Sequence, residues 1–336
     1  MRRLKPRLAL AALLLSALLL PVLSSGCGSG HDVEAGKVVR QPVDSGKLKI
    51  GYSGSSALTG LRERGDLEAK LAEQSSSDAV EWKPFDDDAS LFQAIEEGRV
   101  DIGAIGDAVP ALLHREDAPL VYLAAEPANP SAYAIVVPLD SDIFSAADLQ
   151  GKRIAYAPSS NEHLLLLQAL DSAGLSQRDV KPLKLAPADT FRSMERRDAD
   201  AWAVSEPELS RIEPLGIRII ADGSLSAAQR DIYVTTPESL QGREPLFKLA
   251  VDAISGYDDW LGEQVHDAAE LLAGLTGIEH AGWLGSFDRK AYGTAPFLSS
   301  IVQEEQTLAD TAAKLSGRKS RMDVQRFARD WMPERP

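Results

Sequence analysis

"RIAYAPSSNEHLLL" (153–166) decides the fold. An apolar strand passes through a small polar turn into a helix apolar enough to be buried. The same pattern stands earlier in the chain as "KIGYSGSSALTGL" (49–61). Units of this kind, alternating strand and helix with short connections, build open α/β sheets. Ligands of such sheets sit beyond the carboxyl ends of the strands. Two units facing each other would therefore enclose a cleft lined by two helix N-termini.

Outward from these stretches the alternation continues. "KLKIGYS" (47–53), "VEWKPF" (80–85) and "VDIGAIG" (100–106) read as strands, with helices over 58–74 and 90–98 between them. "LVYLAAEP" and "AYAIVVP" are further strands, and the pattern restarts after Pro138. "KRIAYAP", "VKPLKLAP", "ADAWAVSEP" and "IRIIADG" supply the strands of a second unit, and "RDIYVTT" (230–236) reads as one more strand. Mostly helical sequence follows it. Chain order places a first lobe at 47–137 plus 231–336, with the C-terminal helices, around a second lobe at 139–229. Crossings near Pro138 and Arg230 would be the hinges.

The first 26 residues are a different object. Arg2, Arg3, Lys5 and Arg7 precede the apolar run "LALAALLLSALLLPVL" and the small residues "SSG", the pattern of an export signal. Its removal leaves 32 basic residues against 50 acidic ones, a net charge of −18, where the full 336-residue chain carries −14. So acidic a surface argues against nucleic acid as a partner. The sole cysteine, Cys27, stands at the cut and cannot form an internal disulfide. "LSSGC" resembles the bacterial lipobox, with Ser24 where leucine is commonest. The resemblance implies lipid on Cys27 and a membrane anchor without a span. Residues 27–46 would then be a tether.

Enzymatic motifs are thin. The five histidines include no pair at i, i+4, so no metal site is indicated, and no cofactor motif is present. "GYSGS" lacks the last glycine of a nucleophile elbow. "GAIGDA" lacks the third glycine of a dinucleotide fingerprint. Ser159, Ser160 and His163 have no acid partner at a recognisable spacing. "DDD" (86–88) reads as a solvated loop with Asp88 capping the next helix. The helix starts are the better candidates. Unpaired N–H groups and the positive end of the helix dipole make a ready anion site, with Ser and Asn as small extra donors. Ser159, Ser160 and Asn161 form one such turn, and Ser53, Gly54 and Ser55 form its counterpart. Ordinary N-capping by Ser159 or Ser160 explains the same residues. Trp202 lies near the end of its strand and is a candidate cleft wall. Asp107 and Glu206 end strands before helices, as caps or as partners for an ammonium or a water.

From about residue 47 to 213, and again over "FDRKAYGTAPFLSSIVQEEQTLADT" (287–311), the chain resembles the aliphatic sulfonate-binding proteins of bacterial ABC importers. "GYSGSSALTGL", "RVDIGAIGDAVPAL", "AYAPSSNEHLLLLQAL" and "AWAVSEPEL" carry the likeness. It implies a two-lobed, type II periplasmic-binding fold: each lobe an open sheet flanked by helices, with a helical C-terminal region. It also implies capture of an alkanesulfonate by a monomer in the cell envelope and its delivery to a membrane permease. Taurine, nitrate and thiamine precursors are ligands of related proteins of the wider fold and stand as alternative ligands here, and a ligand-dependent sensory partner of a membrane receptor is the alternative role. Position by position, the resemblance brings Ser53–Ser55, Gly106, Asp107, Ala108, Ser159–Asn161, Trp202, Glu206 and Tyr292 to the cleft. The family usually has an aromatic where Ser205 stands, and often a tyrosine where Glu208 stands. Those departures imply a ligand tail of different polarity or shape.

Overall fold

The computed structural model describes residues 46–53, 56–74, 79–113, 115, 119–226, 228–318 and 321–328. The leader, nearly all of the tether, Cys27, Gly54 and Ser55 lie outside the described residues. The chain begins with β1 (Lys47–Ser53), α1 (Ala57–Arg64), α2 (Asp66–Glu73), β2 (Ala79–Phe85), α3 (Asp88–Glu96), β3 (Ile102–Gly106), α4 (Ala108–Leu113) and β4 (Val121–Ala125). It crosses to β5 (Tyr133–Pro138), β6 (Arg153–Tyr156), α5 (Asn161–Ser172), β7 (Lys181–Lys184), α6 (Thr190–Arg196), β8 (Ala201–Ser205), α7 (Glu208–Ile212) and β9 (Ile217–Asp222). It returns as β10 (Asp231–Thr235). The helices α8 (Pro237–Leu240), α9 (Glu244–Glu263), α10 (Val265–Thr276), α11 (His280–Arg289), α12 (Ser299–Ser316) and α13 (Val324–Ala328) complete it.

These strands form two five-stranded sheets, ordered β2-β1-β3-β10-β4 and β7-β6-β8-β5-β9. In each, the first three strands run parallel. The fourth runs antiparallel to both its neighbours. That antiparallel strand is exchanged: β5 follows four strands of the first sheet but pairs in the second, and β10 follows the second sheet but pairs in the first.

This exchange corrects the first lobe boundary. The run at 133–138 was expected in the first lobe, with a hinge at Pro138. Instead Ala134 faces Val204 and Val136 faces Trp202 on β8, while Val137 faces Arg218 on β9. The chain crosses within Glu126–Ala132, where Pro127 and Pro130 have no N–H to give a ladder. The return crossing, Gly223–Arg230, lies alongside: Asn129 N–H donates to Gln229 O at 2.8 Å and Glu126 N–H to Asp231 O at 2.9 Å. A second difference is local. The helix expected over 58–74 breaks into α1 and α2 at Gly65, which takes φ 70° and donates its N–H to Leu61 O. That left-handed step favours glycine.

Both faces of each sheet are covered. Leu48 and Ile50 pack with Phe247, Tyr257 and Leu261 from α9, and on the other face Ile105 and Val234 pack with Leu308 and Phe327. In the second sheet Ile135 and Ile154 meet Leu165, Leu166 and Leu170, while Val136 and Val204 meet Met194 and Ile212. The leucines of α5 explain the opening stretch. Leu165 and Leu166 belong to the second sheet's core, but Leu164 joins the first sheet's cluster beside Ile105 and Ile232. The helix lies between the two lobes, so it is apolar on more than one face.

Trp202 is core. Its side chain is fully buried, packs with Val136 and Leu209, and donates Nε1–H to Ser193 Oγ at 3.1 Å. It is no cleft wall. Trp202→Ala is expected to cost about 3–5 kcal/mol of stability, read as a lowered urea midpoint. A variant as stable as the parent would contradict that placement.

Candidate functional site

The parallel strands of both sheets aim their carboxyl ends at one cavity of about 610 Å³. Ser53 ends β1, Phe85 ends β2, Gly106 ends β3, Ala157 follows β6 and Ser205 ends β8, and all line it. The exchanged strands run the other way, so they contribute their first residues, Tyr133 and Asp231. Helix starts complete the wall: Ser56 before α1, Asp88 of α3, and Ser160, Asn161 and Glu162 at α5.

Asn161 joins the lobes. Its Oδ1 accepts the Ala108 N–H at 2.9 Å, and its Nδ2 donates to Tyr133 Oη at 3.1 Å and to Arg230 O at 3.3 Å. Gly106 makes room for it, since a Cβ there would lie 2.4 Å from Asn161 Oδ1. The residue is 2% exposed and its amide group is engaged at both ends. Its side chain serves the lobe contact, and what it offers the cavity is backbone. Among the described residues the N–H groups of Asn161 and Glu162 meet no acceptor, as the first turn of a helix dictates.

Ser159 and Ser160 are engaged locally. Ser160 caps α5: its Oγ accepts the His163 N–H at 3.2 Å and donates to Ala157 O at 2.8 Å. Ser159 takes φ 57°, donates its N–H to His163 Nδ1 at 3.1 Å, and is not part of the cavity wall. The His163 ring stacks on Tyr156 and its Nε2 faces Gln177. Burial, with help from Lys184, lowers its pKa to about 4, so the ring is neutral at physiological pH. Neither ring nitrogen is left to activate a serine.

Carboxylates dominate the polar wall. Glu206 accepts from Arg289 at 3.1 Å and from the Ser210 hydroxyl at 3.0 Å. Burial raises its pKa, against the pull of Ser210 and Arg289. Glu208 pairs with Arg211 at 3.1 Å, and burial raises it too. Asp231 takes the Lys290 ammonium at 2.7 Å, and Glu126 takes it from behind the wall at 3.0 Å. Burial opposes the charge on Lys290, but Asp231 and Glu126 outweigh it and hold its pKa well above the ordinary lysine value. Asp88 accepts the Gly106 N–H at 2.9 Å and the Ser53 hydroxyl. Burial and the nearby Asp231 push its pKa to about 7, with Glu162 adding to the rise. Glu162 accepts from the Ser205 hydroxyl.

Of the residues named from sequence, Ser53, Gly106, Ser160, Asn161 and Glu206 stand on the wall. Ser159, Asp107, Ala108, Trp202 and Tyr292 do not, and Gly54 and Ser55 are outside the described residues. Asp107 exchanges backbone and side-chain hydrogen bonds with the Arg230 main chain at 3.0 and 3.1 Å, behind the wall. Ala108 serves Asn161. Tyr292 packs on Phe287, 5.3 Å between ring centroids, and the residue of its segment that reaches the cavity is Lys290. Asp88 is no cap: Asp87 Oδ1 accepts the Ser90 N–H at 2.7 Å, which frees Asp88 to face inward. Glu162 and Asp231 were missed, because nothing local distinguishes them from solvated carboxylates.

Known proteins share this architecture. Residues 79–264, more than half the chain, match the NMT1/THI5-like family. The chain is 30% identical over 233 residues to an Escherichia coli (strain K12) protein named for binding aliphatic sulfonates, covering 69% of this chain and 72% of that one. To the taurine-binding periplasmic protein of the same strain it is 29% identical over 216 residues, covering 60% and 66%. The solved alkanesulfonate-binding protein SsuA from Xanthomonas axonopodis pv. citri, bound to MOPS, superposes with a TM-score of 0.76. It is 26% identical, over 84% of this chain and 97% of that one.

Two outcomes test the geometry. Gly106→Ala drives a methyl group against Asn161 and is expected to disturb its two hydrogen bonds to Ala108 and Arg230, each worth about 0.5–1.5 kcal/mol. Ligand affinity should fall roughly tenfold with an unchanged circular dichroism spectrum; unchanged affinity would remove the contact from closure. Asp88 binds its proton more tightly folded than unfolded, so between about pH 4 and 7 it makes stability fall as pH rises. Asp88→Asn should flatten that fall, compared as melting temperatures at about pH 5 and pH 8 without ligand. A parallel offset at both would show that Asp88 titrates normally.

Proposed function

The chain belongs to the NMT1/THI5-like family, and from that premise we propose that it captures a small organosulfonate between its lobes and delivers it to an ABC permease. One observation carries the reading: the cavity lies beyond the strand ends of both sheets and takes in a helix start with unpaired backbone donors. A sulfonate is ionised at every biological pH, so a fixed N–H cradle suits it without a proton switch. Charge-assisted hydrogen bonds contribute about 1.5–3 kcal/mol each. Such bonds from the Asn161 and Glu162 N–H groups, with apolar contacts from Phe85, Pro187 and Ile278, work against the cost of immobilisation, and the micromolar Kd expected of this class corresponds to roughly −8 kcal/mol. The names of its relatives, which bind aliphatic sulfonates, taurine and MOPS, support the class.

Binding without turnover is the reading that the relatives' names support, each being named as a binding protein. Closure of the lobes about their paired crossings would be the signal to the permease. Among the described residues no helix is long and apolar enough to cross a membrane. Attachment in the cell envelope would come through lipid on Cys27.

Calorimetry with ethanesulfonate, taurine, sulfate and nitrate tests the ligand class. At least one sulfonate should bind with micromolar Kd, and sulfate and nitrate at least ten times more weakly; the reverse order would overturn the assignment. Cys27→Ser should move the protein from the membrane fraction to the soluble one. Continued sedimentation with membranes would exclude the lipid anchor.

A further inference from the structure

The charges on the cavity wall do not balance, and we propose that they select a ligand carrying a positively charged nitrogen, seated between Asp88 and Glu162. The inference rests on the cavity being the ligand site.

Among the described residues, eight carboxylate side chains line the cavity, against the cations Arg211 and Lys290. Three of the eight are neutralised by partners already described: Glu206 by Arg289, Glu208 by Arg211 and Asp231 by Lys290. Asp86 and Asp189 are exposed, where water and salt screen them. Asp87 is used as the cap of α3. Asp88 and Glu162 remain. They come from helix starts of different lobes and are close enough for Glu162 to raise the pKa of Asp88. Among the described residues Asp88 has only the Gly106 N–H and the Ser53 hydroxyl for partners, and Glu162 only the Ser205 hydroxyl.

Glu162 is the sharper of the two. It is 8% exposed, and what remains exposed lines the cavity. One oxygen takes the Ser205 hydroxyl; the other accepts no hydrogen bond among the described residues, and no Lys or Arg pairs with it there. Buried carboxylates are ordinarily paired. An unpaired one aimed into a ligand cavity leaves the countercharge to be brought by the ligand. The residue also stands in the first turn of α5, where its charge competes with an incoming anion for the same helix dipole. An anion without a countercharge would therefore meet repulsion at the very turn that offers it N–H groups. A zwitterion meets neither problem. Its sulfonate takes the first-turn N–H groups and its ammonium takes the two carboxylates, a pair of short-range, opposite-sign demands set side by side.

Three probes of equal length separate the contributions: 3-aminopropanesulfonate, butanesulfonate and butylamine, each titrated calorimetrically into the purified protein at neutral pH. The aminosulfonate should bind at least about 30-fold more tightly than butanesulfonate. Glu162→Gln keeps the shape and the Ser205 contact. It should reduce that ratio to about threefold by weakening the aminosulfonate while leaving butanesulfonate unchanged or tighter. Asp88→Asn should shift the ratio the same way and serves if Glu162→Gln does not fold. Equal affinity for the two sulfonates, or a variant that weakens both alike, overturns the cation subsite and leaves the sulfonate reading standing. Butylamine binding that is lost in Glu162→Gln, with neither sulfonate bound, supports the subsite and overturns the sulfonate reading. No heat from any probe overturns both.

Discussion

The exchange of one antiparallel strand between the two sheets is the constraint on which the rest of the structure depends. With β5 and β10 each paired in the sheet opposite to its chain neighbours, the lobes are joined twice, by segments that lie side by side. The exchange also sets the composition of the cavity wall. Parallel strands present their carboxyl ends to it and the exchanged strands present their starts, so Asp231 at the head of β10 arrives beside Ser53 and Gly106. The C-terminal return adds a third strap. Asn129 exchanges hydrogen bonds with Ala291 in both directions, at 2.8 and 2.9 Å, which fixes the segment that carries Lys290.

On this frame α5 does two jobs that pull its sequence in different directions. As packing it must be apolar on more than one face, because Leu164 fills one lobe's core and Leu165 and Leu166 the other's. As a site it must begin with small polar residues, because its first turn opens onto the cavity. The abrupt change from "SSNEH" to "LLLL" is the record of both demands. Asn161 stands at the change, with a side chain short enough to reach Ala108, Tyr133 and Arg230 at once.

The alternation of strands and helices, the repeat of the strand–turn–helix unit and the return of the chain after residue 230 were all legible in the residues. They follow from periodicity and breakers, which are local. The side of the hinge on which β5 falls was not legible, since "LVYLAAEP" and "AYAIVVP" are equally apolar and either could pair in either sheet. The prolines between them were visible, but proline marks a break without saying which sheet resumes after it. Gly65 is a similar case: glycine within a helical pattern is compatible with continuation, and its left-handed φ is decided by how α2 must turn to bury Leu67 and Leu71. At the site, sequence reasoning pointed to helix starts, several of which stand on the cavity wall, but could not say which donors remain after folding. The Gly106, Asp107 and Ala108 N–H groups are all consumed, by Asp88, Arg230 and Asn161. Trp202 went to the core for the converse reason, since a strand residue's side is set by register with β5, a partner more than sixty residues away in sequence.

Net charge is a poor guide to what such a cavity prefers. A protein this acidic can hold an anion, because aligned backbone dipoles act over a few ångströms and bulk charge is screened beyond about 8 Å at physiological salt. The local count is what matters, and there the wall is divided. Glu206, Glu208 and Asp231 are spent on Arg289, Arg211 and Lys290, and these ion pairs brace α7, α11 and β10 around the cavity. Asp88 and Glu162 brace little: their partners are neutral, and the rise in the Asp88 pKa shows that its ionised form is poorly compensated. A fold could remove that cost with Asn at position 88, which would keep the hydrogen bonds to Ser53 and Gly106. Keeping the Asp88 carboxylate sacrifices stability for an electrostatic preference, and such a sacrifice is typical of residues that face a ligand rather than a core.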